Sequence, residues 1–177
     1  MAERVGLSRR ARLRIAAAIA VFSAIGIVVL VVLVSSHGNR DAHLPLRFQT
    51  RAAGAPFTGY GETRVDVDGK CRPVAVADTG DLRAAGLRDH TDLGKYAGML
   101  FVFDGNTKAS FTMAGVTEAL EIAWYSADGA RVDGVHMAPC PDRSQADCPI
   151  YSSAKAYRIA FERSGGSAPP PNLTPCS

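Results

Sequence analysis

Two apolar periods divide this chain. The first is continuous. Ile15 to Val34 reads IAAAIAVFSAIGIVVLVVLV, without a charge or a proline and with Ser23 as its one polar residue. At about 1.5 Å per residue such a run spans roughly 30 Å, the hydrocarbon thickness of a bilayer, so it predicts a transmembrane helix. The flank before it holds Arg4, Arg9, Arg10, Arg12 and Arg14 against Glu3. The positive-inside rule places residues 1–14 in the cytoplasm and everything after Val34 outside. A cleaved signal peptide gives the same side, with Val34-Ser35-Ser36 as its small-residue site, but its apolar region is normally shorter. The favoured reading is an uncleaved anchor.

The second period is two, the mark of half-buried strands. Residues 35–60 show little periodicity and read as a linker or stalk. Val65 and Val67 then alternate with charges, Asp68-Gly69 turns the chain, and Val74 and Val76 resume the alternation. This predicts a hairpin, with Pro73 near an edge. Thr79 or Asp78 caps a short helix whose buried side is Leu82, Ala85 and Leu87. Residues 98–104, GMLFVFD, read as a central strand buried on both faces. Phe111 and Met113 alternate in a strand expected beside it, across a turn at Asp104-Gly105-Asn106. Residues 120–137 supply a strand, an Asp128-Gly129 turn and a return strand. Tyr157, Ile159 and Phe161 mark a last strand over 157–162. The tail, 164–177, is rich in proline and is expected to stay extended outside any sheet. The fold class is α+β, mostly antiparallel: a small compact β-rich domain over 61–163, barrel-like or strongly twisted, with one short helix, preceded by a single transmembrane helix.

Charge changes the picture once it is divided by compartment. The chain carries a net +3, but setting aside the five arginines and one glutamate of residues 1–14 leaves −1 for the rest. The outer portion has no basic stripe of the kind nucleic acid requires, so no nucleic-acid partner is expected. The bilayer, reached through residues 15–34, is the expected lipid partner.

Cysteine use agrees with that address. Cys71, Cys140, Cys148 and Cys176 all follow the apolar run, and an even count in an oxidising space favours disulfides. Three pairings exist in principle. Cys140 and Cys148 bracket a short polar loop and are read as a clip, which leaves Cys71 for Cys176. A zinc site from His136, Cys140 and Cys148 lacks a fourth ligand and a C-x-x-C pair, and redox exchange lacks the C-x-x-C motif. No metal and no cofactor are expected.

Nucleophile candidates are Ser110, Thr112, Ser152 and Ser153, without a G-x-S-x-G elbow. Glu118 and Glu121 stand three apart, which on a strand puts them on opposite faces. Glu121 lies between apolar Leu120 and Ile122; it is either a solvent-facing strand residue or a polar group in a ligand groove with Arg88 as counter-charge. Met99, Phe111, Met113 and Trp124 are read as core before pocket wall. Asn172-Leu173-Thr174 has the form of a glycosylation sequon and is expected to be unmodified.

The segments Arg83-Ala84-Ala85-Gly86-Leu87-Arg88, Gly98-Met99-Leu100-Phe101-Val102-Phe103, Phe111-Thr112-Met113 and Leu120-Glu121-Ile122 together resemble the DUF192 family, over roughly residues 74–162. Thr112 stands where that family usually has Trp, Glu121 where it has Asp and Arg88 where it has Met. The resemblance implies a compact β-rich fold and lends no activity. The function expected is a non-catalytic, membrane-anchored module of the cell envelope that binds a protein or glycan partner outside the cytoplasmic membrane. Its binding residues are taken as Arg88, Asp92, Thr112 and Glu121. The alternatives are an extracytoplasmic enzyme on a small molecule or glycan, using Arg88, Asp92 and Glu121, and a spacer domain without a ligand.

Overall fold

The computed structural model describes residues 46–90 and 92–177. The basic flank and the apolar run at 15–34 lie outside the described residues. Among the described residues no helix is long and apolar enough to cross a membrane.

Alternation and turn chemistry build the first hairpin as expected. Strands β2 (Gly61–Val67) and β3 (Lys70–Ala77) pair antiparallel, with Val67 opposite Lys70. Asp68 and Gly69 both take positive φ, the demand of a tight hairpin turn, and the Asp66 carboxylate accepts the Gly69 N–H at 2.8 Å. Pro73 sits in the part of β3 that its other neighbour, β4 (Met99–Thr107), does not reach, so its missing N–H costs no ladder bond. Between β3 and β4 the chain forms one helix, α1 (Gly80–Ala85), and the two strands run parallel. Thr79 caps α1 by accepting the Leu82 N–H.

Beyond β4 come the short β5 (Phe111–Thr112), β6 (Leu120–Tyr125), β7 (Arg131–Met137), a single 3-10 turn (Gln145–Asp147), the short β8 (Ile150–Tyr151) and β9 (Tyr157–Ser164). A two-residue β1 (Arg51–Ala52) pairs with β2. The main sheet has the order β1-β2-β3-β4-β9-β6-β7, antiparallel except for β3 against β4. The last strand in sequence therefore lies inside the sheet, between β4 and β6.

Both faces of the sheet are covered, which explains the near-continuous apolar runs in β3 and β4. On one face Ala75, Met99, Phe101, Ile122, Trp124 and Ala160 pack under α1 and the 109–116 connection. On the other, Val65, Val74, Val76, Leu100, Tyr125 and Phe161 pack with Leu173 from the tail and Leu46 and Phe48 from the segment before β1.

Several expectations are corrected. Residues 46–60 are not a stalk. They contribute β1 and the fully buried Phe57, whose ring meets Tyr60, His90 and Tyr96, because an apolar side chain here finds a gap between the β1–β2 connection and the 90–96 loop. The turn at 104–106 does not form; β4 continues to Thr107 with a register shift beyond Val102. Phe111–Thr112 does not pair with β4 but with Ile150–Tyr151, because β9 already occupies that edge. The tail does bond to strands. Asp66 N–H reaches Thr174 O, Cys176 N–H reaches Arg64 O, and Leu173 N–H reaches Gly129 O. Its prolines leave enough donors for these isolated bridges, and burial of Leu173 holds it in place.

Candidate functional site

The helix and its exit build one wall of a cavity. Gly86, at φ 55, ends α1 in a conformation that glycine adopts without penalty, and a Cβ there would meet the Phe101 ring at 3.5 Å. The turn buries Leu87 and sends Arg88 outward. Arg88 crosses directly over Gly115, where any Cβ would stand 2.6 Å from Arg88 Cγ. Its Nε donates to Ala114 O at 3.0 Å. The terminal guanidinium nitrogens make no hydrogen bond or ion pair with a described residue. One turn earlier, Arg83 is engaged: Nη1 donates to Asp78 O (2.6 Å) and Val102 O (2.8 Å), and the guanidinium lies 4.8 Å over the Phe103 ring.

The facing wall is the 109–116 connection, held by the cysteine clip. Cys140 is bonded to Cys148. Gly115 N–H donates to Cys140 O, and Cys140 N–H to Val116 O, so the clip fixes this wall through backbone bonds. The clipped loop also sends Gln145 to the cavity. The second disulfide, Cys71–Cys176, pins the tail to the start of β3. These two bonds point to an oxidising, extracytoplasmic space.

The enclosed volume is about 280 Å³, just below the usual ~300–1,000 Å³ of small-molecule pockets. Phe101, Phe103, Phe111 and Met113 supply apolar lining; Arg83, Arg88, Ser110, Thr112, Gln145 and Glu162 supply the polar groups. Glu162 comes from β9, directly opposite Met99 of β4 and Ile122 of β6, both fully buried. It is 5 % exposed. Among the described residues no hydrogen bond or ion pair reaches its carboxyl. Burial alone pushes it up to about 8.

A second buried acid shows the contrast. Glu62, 1 % exposed, accepts Arg51 Nε at 3.0 Å and Nη2 at 2.5 Å on one oxygen, and the Tyr96 hydroxyl at 2.8 Å and Lys95 Nζ at 2.6 Å on the other. Burial pushes its carboxyl up, but the bonds from Lys95, Arg51 and Tyr96 outweigh burial and hold it down at about 2. It lines a broader groove of about 530 Å³ beside Arg64 and Cys176, yet its oxygens are spent on these partners. Glu62 is a clasp between β1, β2 and the 92–98 loop.

The residues picked out by sequence are divided. Arg88 and Thr112 share the cavity. Asp92 lies in a neighbouring depression with His90 and Glu118, and its carboxylate accepts the Gly94 N–H at 2.7 Å. Glu121 is on the opposite face of β6 from Leu120 and Ile122, 2.6 Å from His136 Nδ1, so Arg88 is not its counter-charge. With His136 on Glu121 and both cysteines in a disulfide, no metal triad assembles at that loop. No group of three His, Cys, Asp or Glu able to share a metal occurs among the described residues. Of the pocket candidates, Phe111 and Met113 line the cavity, while Met99 and Trp124 lie in the core. Glu162 was missed because Tyr157, Ile159 and Phe161 marked one face of β9 as the buried one. The available signal was Ala160, an apolar residue on the supposed outer face.

No curated protein matches the chain. Two solved structures are similar to it. One is a protein of unknown function from Novosphingobium aromaticivorans DSM 12444, at 20 % identity and a TM-score of 0.52, over 73 % of this chain and 89 % of that one. The other, from Sinorhizobium meliloti 1021, is described as a "putative transcription regulator" and matches at 17 % identity and a TM-score of 0.51, over 72 % of this chain and 95 % of that one. At these identities the likeness is one of fold. The family model described as an uncharacterized ACR matches residues 63–175, from β2 through the bonded tail, and the chain belongs to this family, DUF192.

Proposed function

We propose that this chain is a membrane-anchored binding module of the cell envelope, whose β-rich domain lies outside the cytoplasmic membrane and takes a small ligand in the cavity between Arg88 and Glu162. Residues 1–14 are its cytoplasmic flank and residues 15–34 its anchor in this reading. The address is supported by the uncharged apolar run, its arginine-rich flank and the two disulfides. The observation that carries the binding role is the cavity itself: one concave, aromatic-walled space lined by Arg88 and the buried Glu162, whose guanidinium end and carboxyl meet no partner among the described residues.

An enzyme is the second reading, because a carboxyl held protonated near neutrality is suited to general-acid work. Binding is favoured over it. Ser110, the cavity serine, shares its hydrogen bond with Ser152 at 2.8 Å and not with a base. The regulator role named for the Sinorhizobium protein is not carried over on a shared fold.

The test is a small-molecule screen by NMR on the full chain, beside Ala85→Trp, which fills the cavity wall at the end of α1. Ligands that shift cavity residues in the wild type and not in the variant are the expected result. A silent screen, with native-membrane crosslinking recovering a protein bound across the exposed 141–147 loop, would overturn the cavity as the functional site.

A further inference from the structure

We infer that the ligand of this cavity is a small zwitterion, its protonated amine paired with the Glu162 carboxylate at the floor and its anionic group on the Arg88 guanidinium at the mouth. This rests on the cavity being the ligand site and specifies what it takes.

The first argument is the position of Glu162. It occupies a central strand between Met99 and Ile122, where an apolar side chain of similar volume would be less costly to bury. Glu62, just as buried, has its four hydrogen bonds; Glu162 has none among the described residues. The Glu162 side chain opens into the cavity and meets no hydrogen-bond or ion-pair partner among the described residues, and a polar group placed against the local apolar pattern in this way is characteristic of functional sites.

The second argument concerns sign. A neutral ligand group would be served by glutamine, which donates and accepts without any ionisable charge to bury. A cation is the group that gains most from a carboxylate over an amide. Phe101, Phe103 and Phe111 line the same space, and aromatic faces attract an ammonium group.

The third argument concerns the other end. Arg83 commits Nη1 to two carbonyls and lies over the Phe103 ring, whereas Arg88, on an exposed side chain, offers both terminal nitrogens without a partner among the described residues. A plain alkylamine would enter past two guanidinium groups. A zwitterion brings its own anion to Arg88, and bidentate pairing with a carboxylate or phosphate suits that group. A volume of about 280 Å³ holds one small molecule or a single terminal residue, not a polymer segment.

Capture has a proton signature. Met99 from β4 and Ile122 from β6 stand opposite Glu162, and Arg83 and Arg88 are the charged residues that line the same cavity. The empty site holds Glu162 as the neutral acid at pH 7. Pairing with an ammonium ionises it, and the carboxyl proton leaves to solvent while the amine keeps its own.

The experiment is titration calorimetry of the full chain at pH 7, in buffers of different ionisation enthalpy. The probes are α-amino acids and ω-amino acids from glycine to 8-aminooctanoate, with n-alkylamines and n-alkyl carboxylates of matched length as single-charge controls. At least one zwitterion should bind roughly 10-fold tighter than either matched control and release a proton on binding. Glu162→Gln should lose about 100-fold in affinity together with the proton release, while Arg88→Gln loses about 10-fold and the preference over alkylamines. Emission of the sole tryptophan, buried Trp124, verifies that each variant is folded. Equal binding by Glu162→Gln, or carboxylates binding as well as zwitterions, overturns the zwitterion. If only single-charge or neutral compounds bind, and Ala85→Trp blocks them, the zwitterion falls while the cavity stands as the site. If neither this panel nor the broader screen gives binding, both fall.

Discussion

Replacing Glu162 with glutamine should stabilise the empty domain at neutral pH and flatten its response to pH. The carboxyl moves from an ordinary value of 4.5 to about 8 because burial removes it from bulk water and no described residue partners it. Between those values the folded chain keeps a proton that the unfolded chain has released. The favourable contribution is therefore complete below about pH 4.5 and is lost as pH rises through 8. The slope is about 1.4 kcal/mol per pH unit, and the accumulated loss at pH 7 is about 3 kcal/mol. Glutamine preserves the shape without the titration. Denaturant unfolding followed by Trp124 emission, from pH 4 to pH 9, reads this directly. The variant and wild type should nearly coincide at pH 4 and separate by about 3 kcal/mol at pH 7, with the variant more stable. Parallel pH profiles, or a variant weaker than wild type at pH 7, would refute the placement of an unpartnered acid inside the sheet.

Glu62 should behave in the opposite sense. Its carboxyl is held down at about 2, so its contribution is present above pH 4.5 and disappears as pH falls through 2; Glu62→Gln should cost about 2 kcal/mol at pH 7 and converge with wild type in acid. Cys176→Ser opens a loop of sequence separation 105 and frees the tail, which should cost about 4–5 kcal/mol in the chain-entropy account and expose 164–177 to limited proteolysis. Gly98→Ala should cost about 3 kcal/mol of unfolding free energy, read as a lower denaturation midpoint, since its Cβ would lie 2.1 Å from Glu162 O at a φ of 153° that alanine disfavours.

The sequence alone determined the local elements. Val65 and Val67, the Asp68-Gly69 turn, Val74 and Val76, the Thr79 cap, and Leu120, Ile122 and Trp124 each announce their structure through neighbours a few residues away. Hydrophobic period and turn stereochemistry are local properties, so they can be read along the chain. Part of the lining was legible too: Arg88 and Thr112, two of the cavity's six polar residues named above, adjoin elements whose type the pattern announces.

What only the tertiary structure decided is which segments meet. Nothing local in YRIAFE says that it enters the sheet between β4 and β6, yet that insertion displaces Phe111–Thr112 to a separate pair and buries Glu162. Nothing local in 46–60 or in the proline-rich tail says that Phe57 and Leu173 are core. Glu121 and Glu162 looked alike as polar members of alternating strands. Their fates diverged because adjacent strand residues point to opposite faces, and the cover each face receives comes from segments far away in sequence. Burial is set by that cover, and with it the cost of an unpaired carboxyl.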